Sequence, residues 1–317
     1  MDVLLVVVGL VGLLLGGDLL VRGAVALATR LNVSPMVVGL TVVGFGTSAP
    51  ELVTSVQGAL AGSPGIAVGN VVGSNVANVL LIVGTVALLR PIAVSPAALR
   101  RDGTALAVAS LLCAAIVLHG SSGRLAGAVL VAALAAYLVG TIALERRART
   151  PAGALYAEEA ATASAPPVPA WRSGLTFAAG LAITVLGARL LVDGAVSLAA
   201  GLGVSEAVIG LTVVAIGTSL PELATSVIAA RKGQSDLALG NVIGSNLFNV
   251  LGILGVTSLL VPLEVPAAIA ERDLWVMLAA TALLVAFAVT GWRIERREGA
   301  ALLAGYVAYL GWLTVNA

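Results

Sequence analysis

Two glutamates, Glu51 and Glu222, stand in long apolar runs with nearly the same residues before them, Gly46-Thr-Ser-Ala-Pro-Glu51 and Gly217-Thr-Ser-Leu-Pro-Glu222. On a helix, Thr47 and Ser48 share a face with Glu51, and Thr218 and Ser219 share one with Glu222. A polar stripe at four-residue steps follows each glutamate: Asn70, Ser74 and Asn78, then Asn241, Ser245 and Asn249. Pro50 and Pro221 each remove a helical hydrogen bond and clash with the carbonyl four residues back, which frees the acceptors of Gly46 and Gly217. Carboxylates, hydroxyls, amide oxygens and freed carbonyls are hard oxygen ligands. With no thiolate or imidazole among them, they suit Na⁺ and Ca²⁺ rather than zinc or copper. Two ionised glutamates facing each other in low dielectric are strongly destabilised. One Ca²⁺, two Na⁺ or two protons would neutralise them, and a site that must hold one cation type or another is what coupled exchange requires. The competing reading is a pair of protonated glutamates joining two helices; carboxylates inside membrane spans are functional by default.

The elements that position these groups follow from composition. The chain has 317 residues, of which 59% are hydrophobic and 10% charged, with a mean hydropathy of +1.08. A soluble domain carries about 25% charged residues, so a soluble enzyme, a disulfide scaffold and a disordered chain are excluded. The net charge of +1 implies no nucleic-acid partner, and the single cysteine, Cys113, permits no intrachain disulfide. Ten apolar spans are predicted, at 3–28, 35–60, 66–89, 103–119, 125–144, 173–200, 206–230, 236–261, 273–290 and 299–316, each long enough to cross a bilayer. The first lacks a basic flank and a cleavage site, so it reads as a retained helix. The stretch 145–172 reads as a flexible cytoplasmic linker. With the N-terminus outside, 13 of the 17 basic residues fall in inside loops, so the positive-inside rule puts both termini outside. The expected place is the cell's inner membrane, among lipid.

Shifted by 171 residues, the chain matches itself. Val37–Val56 falls on Val208–Val227 with 15 of 20 positions identical, and Gly69–Gly84 falls on Gly240–Gly255 with 11 of 16. Arg101-Asp102 lands on Arg272-Asp273. Each copy carries five spans, and five is odd, so the second enters the membrane from the opposite side. The fold expected is therefore an all-α integral membrane protein of ten transmembrane helices. It divides into two inverted five-helix repeats, 1–144 and 173–317, with interrupted helices at the ion sites, the build of many secondary transporters.

These paired segments closely resemble the alpha-repeats of the sodium/calcium exchangers, within the calcium/cation antiporter superfamily, over essentially the whole chain. The resemblance implies Na⁺/Ca²⁺ exchange by alternating access, with Ca²⁺ and Na⁺ as substrates and no cofactor. It implies that Glu51 and Glu222 are the shared carboxylates. Thr47, Ser48, Thr218, Ser219, Ser74 and Ser245 would supply oxygens, and Gly44 and Ala215 backbone carbonyls. Asn78 and Asn249 would sit at the central site. Some relatives carry Asp where this chain has Asn249, including the potassium-dependent exchangers. Asn in both copies argues against potassium co-transport. The linker is also too short for the calcium-sensing domains some relatives carry there.

The alternatives are a proton-coupled exchanger for Ca²⁺ or another divalent ion, a passive cation channel, and an intramembrane hydrolase, for which neither a His–Ser pair nor a metal triad is present. Serine, threonine and carbonyl ligands favour Na⁺ over protons. Oligomeric state is left open; a monomer suffices. Asp18 maps onto Arg189 and Arg22 onto Asp193, so the charges are exchanged between copies. Cross-pairs Asp18–Arg189 and Arg22–Asp193 would tie the first and sixth helices into a unit; local i, i+4 pairs are the other reading. His119 reads as a turn residue, Asp236 as a helix-start acid, and Trp275, Trp292, Trp312, Tyr306 and Tyr309 as interfacial anchors or packing.

Overall fold

A computed structural model describes residues 1–31, 33–62, 64–147, 169–201 and 215–315. Its helices are α1 (Asp2–Leu31), α2 (Pro35–Thr47), α3 (Ala49–Leu60), α4 (Pro64–Leu89), α5 (Pro96–His119), α6 (Arg124–Arg147), α7 (Ala170–Gly201), α8 (Ala215–Thr218), α9 (Leu220–Arg231), α10 (Ser235–Leu260), α11 (Ile269–Val289) and α12 (Arg296–Val315). Among the described residues eight of them are long and apolar enough to cross a membrane, and α2 and α3 meet that test together as a pair bent by 44°. The protein is an integral, multi-pass membrane protein. Residues 206–214 of the span predicted at 206–230 lie outside the described residues, as does most of the predicted linker. At its ends the linker is shorter than expected, because α6 runs on to Arg147 and α7 starts at Ala170.

Burial sorts the helices into layers. The most hydrophobic stretches of α4 and α10 are 78% and 83% buried, against 28%, 22%, 28% and 17% for α1, α6, α7 and α12. The polar stripes thus lie on the two central helices. The outer helices present bare leucine and valine, such as Leu4, Leu14 and Leu15 on α1, as lipid-facing surface must.

Three features that the sequence reading did not give have physical causes. The all-helical fold carries two short ladders in its connections: β1 (Ile92–Ala93) pairs antiparallel with β4 (Arg293–Ile294), and β2 (Ser121–Ser122) with β3 (Leu263–Glu264). These connections satisfy their backbone groups against one another where no helix can. Second, α5 begins at Pro96, so Arg100 and Arg101 lie on a helix, within a wide π-turn at Leu99–Gly103, and not in a loop. Ser95 caps that start through its side chain.

Third, the predicted cross-pairs do not form. Arg22 bridges Asp18 on its own helix at 2.7 Å and Arg189 bridges Asp193 at 3.8 Å; Asp18 also takes Lys232 at 2.5 Å. What joins α1 to α7 is a seam of glycines. Gly9, Gly16 and Gly23 recur every seven residues, as do Gly180, Gly187 and Gly194 at the 171-residue offset. A Cβ on Gly16 would lie 2.5 Å from the Thr184 nitrogen, and one on Gly180 only 2.3 Å from the Leu20 nitrogen. Gly9 faces Leu191, Gly16 faces Thr184 and Gly23 faces Phe177. Sequence rises on one helix as it falls on the other, so the pair is antiparallel. In lipid no hydrophobic force joins helices, and small residues that let backbones touch supply the attraction instead.

Candidate ion-binding site

The site begins with the two helix breaks. Ser48 and Ser219 leave helical geometry in the same way, at φ −87°, ψ 7° and φ −91°, ψ 6°. Pro50 and Pro221 sit at the start of the helix that follows, where a missing N–H costs nothing. The sequence reading put the interruption at glycine and proline; the turn itself is taken by the serine between them. Each break does two things. It leaves the carbonyl end of α2 or α8 pointing at the gap, the end that favours cations. It also puts Glu51 and Glu222 in the first turn of α3 and α9, the end that favours carboxylates.

The central helices hold the rest. α4 widens into a π-turn over Asn78–Val83, and α10 does so over Phe248–Leu254. These turns begin at Asn78 and one residue before Asn249. Such bulges recur at functional sites because they turn a side chain away from the regular helical face.

The two copies brace their glutamate helices identically. The Asn70 amide donates to Ser55 Oγ at 2.9 Å and to the Glu51 carbonyl at 3.1 Å. Asn241 donates to Ser226 Oγ at 2.9 Å and to the Glu222 carbonyl at 3.4 Å. The copies are then stitched to each other. Ser48 Oγ donates to Glu222 Oε1 at 2.8 Å, Thr47 Oγ1 to Asn241 Oδ1 at 3.4 Å, and Ser245 Oγ to the Gly44 carbonyl at 3.3 Å. Asn78 donates to Asn246 Oδ1 and Asn249 to Asn75 Oδ1, both at 2.9 Å. Ser74 Oγ donates to Asn70 Oδ1 at 3.4 Å.

Thr47, Ser48, Glu51, Ser74, Asn78, Ser219, Glu222, Ser245 and Asn249 are all buried, the glutamates at 2% and 1% exposure. Thr218 ends α8 and lines a cavity with Asn70 and Ser74; Ala215 begins α8. Five oxygens in this set have no hydrogen-bond partner: Glu51 Oε2, Glu222 Oε2, Asn78 Oδ1, Asn249 Oδ1 and Ser219 Oγ. An uncompensated buried polar atom costs about 1–3 kcal/mol, and more when charged. Buried oxygens grouped in this way have the chemistry of a site for an oxygen-liganded cation. Among the described residues no group of three or more His, Cys, Asp or Glu comes together, so the carboxylate charge here is that of two glutamates.

The sequence reading left three contributors without a role. Asn75 and Asn246 orient the amide oxygens of Asn249 and Asn78. Ser55 and Ser226 anchor the bracing amides. Phe45 stacks on Phe248 at 4.4 Å between ring centres, beside the site. The first two pairs were legible: each repeats at the 171-residue offset in a helix otherwise apolar. The Phe pair was not, since its counterparts at that offset are Ile216 and Ala77.

Comparison with known proteins places the same residues in a wider frame. The family model described as sodium/calcium exchanger protein matches residues 1–143 and 172–315. A protein of Alkalimonas amylolytica named as an antiporter, CaxA, is 44% identical over 307 residues, covering 96% of each chain. The sodium/calcium exchanger MaX1 of Methanosarcina acetivorans is 36% identical over 348 residues, covering 97% of each. Among solved structures, the sodium-calcium exchanger NCX_Mj superimposes with a TM-score of 0.84 at 33% identity over 98% of both chains.

Proposed function

The chain belongs to the sodium/calcium exchanger family, and on that premise we propose that it exchanges Na⁺ for Ca²⁺, binding both between Glu51 and Glu222. Its fold and family are those of a transporter, not an enzyme. The observation that carries the proposal is the set of five unpartnered buried oxygens. Ca²⁺ takes about six to eight oxygens. The hydroxyls of Thr47, Ser48, Ser74, Thr218 and Ser245 and the carbonyls of Gly44 and Ala215 are more than enough to complete that number. One Ca²⁺ cancels the two carboxylate charges, and so do two Na⁺. Two protons would cancel the charges too, but protons do not need the serine, threonine and carbonyl oxygens gathered here. This favours Na⁺ as the counter-ion. Asn at 249 leaves no third carboxylate, and so no call for K⁺.

The proposed architecture is two inverted halves, 1–144 and 173–317, of five spans each around the 145–172 linker. Three features support the inversion. The repeat mates α1 and α7 run antiparallel. At the 171-residue offset β1 maps onto β3, and β4 falls within one residue of β2. Asn70 and Asn241 make matching bonds. The tenth span would be the one read from the sequence at 206–230. Basic residues place the termini outside and the linker in the cytoplasm of the inner membrane. Exchange then proceeds by alternating access, each face reaching the site in turn. Every ligand comes from one chain, so a monomer suffices.

The test is calcium uptake into proteoliposomes loaded with Na⁺ and diluted into Na⁺-free buffer. Uptake is expected to require internal Na⁺, to collapse with a Na⁺ ionophore, and to vanish in Glu51→Gln and Glu222→Gln. Uptake driven equally by a proton gradient without Na⁺ would replace Na⁺ with H⁺ as the counter-ion. Flux independent of any gradient would mean a channel.

A further inference from the structure

We propose that Asp273 is the cation-recruiting residue of the passage through which ions reach the glutamate pair from the outer face, an inference that rests on the transport reading above. The observation is a broken symmetry. Arg101-Asp102 and Arg272-Asp273 are repeat mates, yet they are arranged differently. Asp102 is wholly buried and neutralised: Arg101 holds both its oxygens, at 2.6 and 2.9 Å, and the Tyr137 hydroxyl donates to it at 2.9 Å. Asp273 keeps a tyrosine, with the Tyr309 hydroxyl donating to Oδ1 at 2.8 Å. Its arginine has turned away. Arg272 Nε donates to the Ala268 carbonyl at 3.4 Å, and its guanidinium lies 5.2 Å over the Trp312 ring. One carboxylate is sealed by a cation; the other keeps its charge.

The charge that is kept lines a passage. Asp273 and Tyr309 border a cavity of about 240 Å³ whose far wall is Asn70, Ser74 and Thr218, three residues of the ion site and its bracing. Liquid water occupies about 30 Å³ per molecule, so the cavity has room for a cation with part of its hydration shell. The cavity lies at the end of the bundle that holds the α3–α4 turn, the start of α11 and the end of α12. By the distribution of basic residues this is the outer end.

Towards the opposite end α2 and α10 are in direct backbone contact. A Cβ on Gly240 would sit 2.4 Å from the Met36 carbonyl oxygen, and one on Gly244 2.2 Å from that of Leu40. The Phe45–Phe248 stack lies on the same side of the breaks. An ion entering by this cavity passes Asp273 on its way to Thr218 and Ser74. A fixed negative charge at the mouth of a low-dielectric cleft raises the local concentration of cations. Tyr309 holds one carboxylate oxygen and leaves the other for a hydrated ion.

The experiment uses right-side-out and everted membrane vesicles carrying the whole protein, with calcium flux measured against Ca²⁺ concentration on each face. Asp273→Asn is expected to raise the outer-face KM for Ca²⁺ about three- to tenfold at low ionic strength, with a smaller change in maximal rate. The rise should shrink towards nothing in high salt, where the Debye length falls to about 3 Å. Asp273→Glu should restore most of the wild-type KM, and the inner-face KM should not move. An unchanged outer KM, an equal change on both faces, or a salt-independent loss of rate would each overturn the assignment. A wild type with no calcium flux under any gradient would instead sink the transport reading, so the two failures are distinguishable.

Discussion

Replacing Gly16 by alanine tests the claim that backbone contact, not charge, holds α1 to α7. The added Cβ would lie 2.5 Å from the Thr184 nitrogen and 2.6 Å from its hydroxyl oxygen. Ordinary contact begins near 3.4 Å, so the helices must part by about 0.9 Å. Overpacking of this kind costs about 1–3 kcal/mol. A gap of that size also forfeits about a quarter to a half of the dispersion well of each atom pair along the seam. Gly187→Ala meets the Leu13 nitrogen at 2.7 Å and should cost a similar amount. The assay is thermal unfolding of purified protein in detergent at one fixed heating rate, since unfolding of such proteins is commonly irreversible. Each variant is expected to melt about 3–10 °C below wild type. Gly140→Ala on α6 is the control. Among the described residues nothing lies within 4 Å of its new Cβ, so it should be neutral, or stabilising by up to about 1 kcal/mol through helix propensity. The double variant Gly16→Ala with Gly187→Ala should lose less than the sum of the singles, because helices parted by one Cβ have already made room for the other. Singles that melt with the control, or a strictly additive double, would refute the seam.

Three further outcomes follow from the charges and rings. Arg101→Ala leaves Asp102 buried with a lone tyrosine, and should cost about 3–5 kcal/mol in melting experiments; Arg101→Ala with Asp102→Leu should recover part of it. The exchange Asp18→Arg with Arg189→Asp should restore nothing in the same measurement, since each arginine pairs within its own helix and Lys232 would then face an arginine. Phe248→Ala removes a stack worth about 0.5–1.5 kcal/mol. If that stack favours the outward-open arrangement, the ratio of outer to inner KM for Ca²⁺ should rise about two- to tenfold, and an unchanged ratio would clear the ring of that role.

Much of this molecule is legible before any coordinates. Glu51, Glu222 and the two asparagine–serine stripes announce themselves because polar groups in an apolar helix are costly and must have a use. The helix breaks are legible because proline has no N–H to give. What was misjudged was how the parts are joined. Asp18, Arg22, Arg189 and Asp193 drew attention as charges, yet the contact between their helices is made by glycines. A glycine in a membrane helix carries no signal of its own; only its recurrence every seven residues, twice, would have disclosed the seam. Arg100 and Arg101 looked like loop residues because charge suggests solvent. Arg101 instead serves a buried carboxylate through a π-turn that sequence periodicity cannot show. The Asn78–Asn246 and Asn249–Asn75 bonds lay beyond sequence, because they join copies of the repeat across the bundle.

The polar residues of this protein are duplicated more faithfully than the packing around them, and the difference is small in energy. Were the halves identical, an arrangement open at one end and its mirror would be equally stable, and no ion could be handed over in a preferred direction of rest. Two of the departures from identity lie beside the site or its cavity: Phe45 and Phe248 against Ile216 and Ala77, and Asp102 held by Arg101 where Asp273 has lost Arg272. A ring stack is worth about 0.5–1.5 kcal/mol. An ion pair with one partly exposed member adds a comparable net amount once its desolvation is counted. A bias of that size populates one arrangement about tenfold over the other, and a ligand with about a hundredfold preference for the second reverses it. Two carboxylates that must be neutralised on every passage supply preferences of at least that order. The same near-symmetry that brings Glu51 and Glu222 together would therefore keep the resting bias within reach of the ions proposed to bind there.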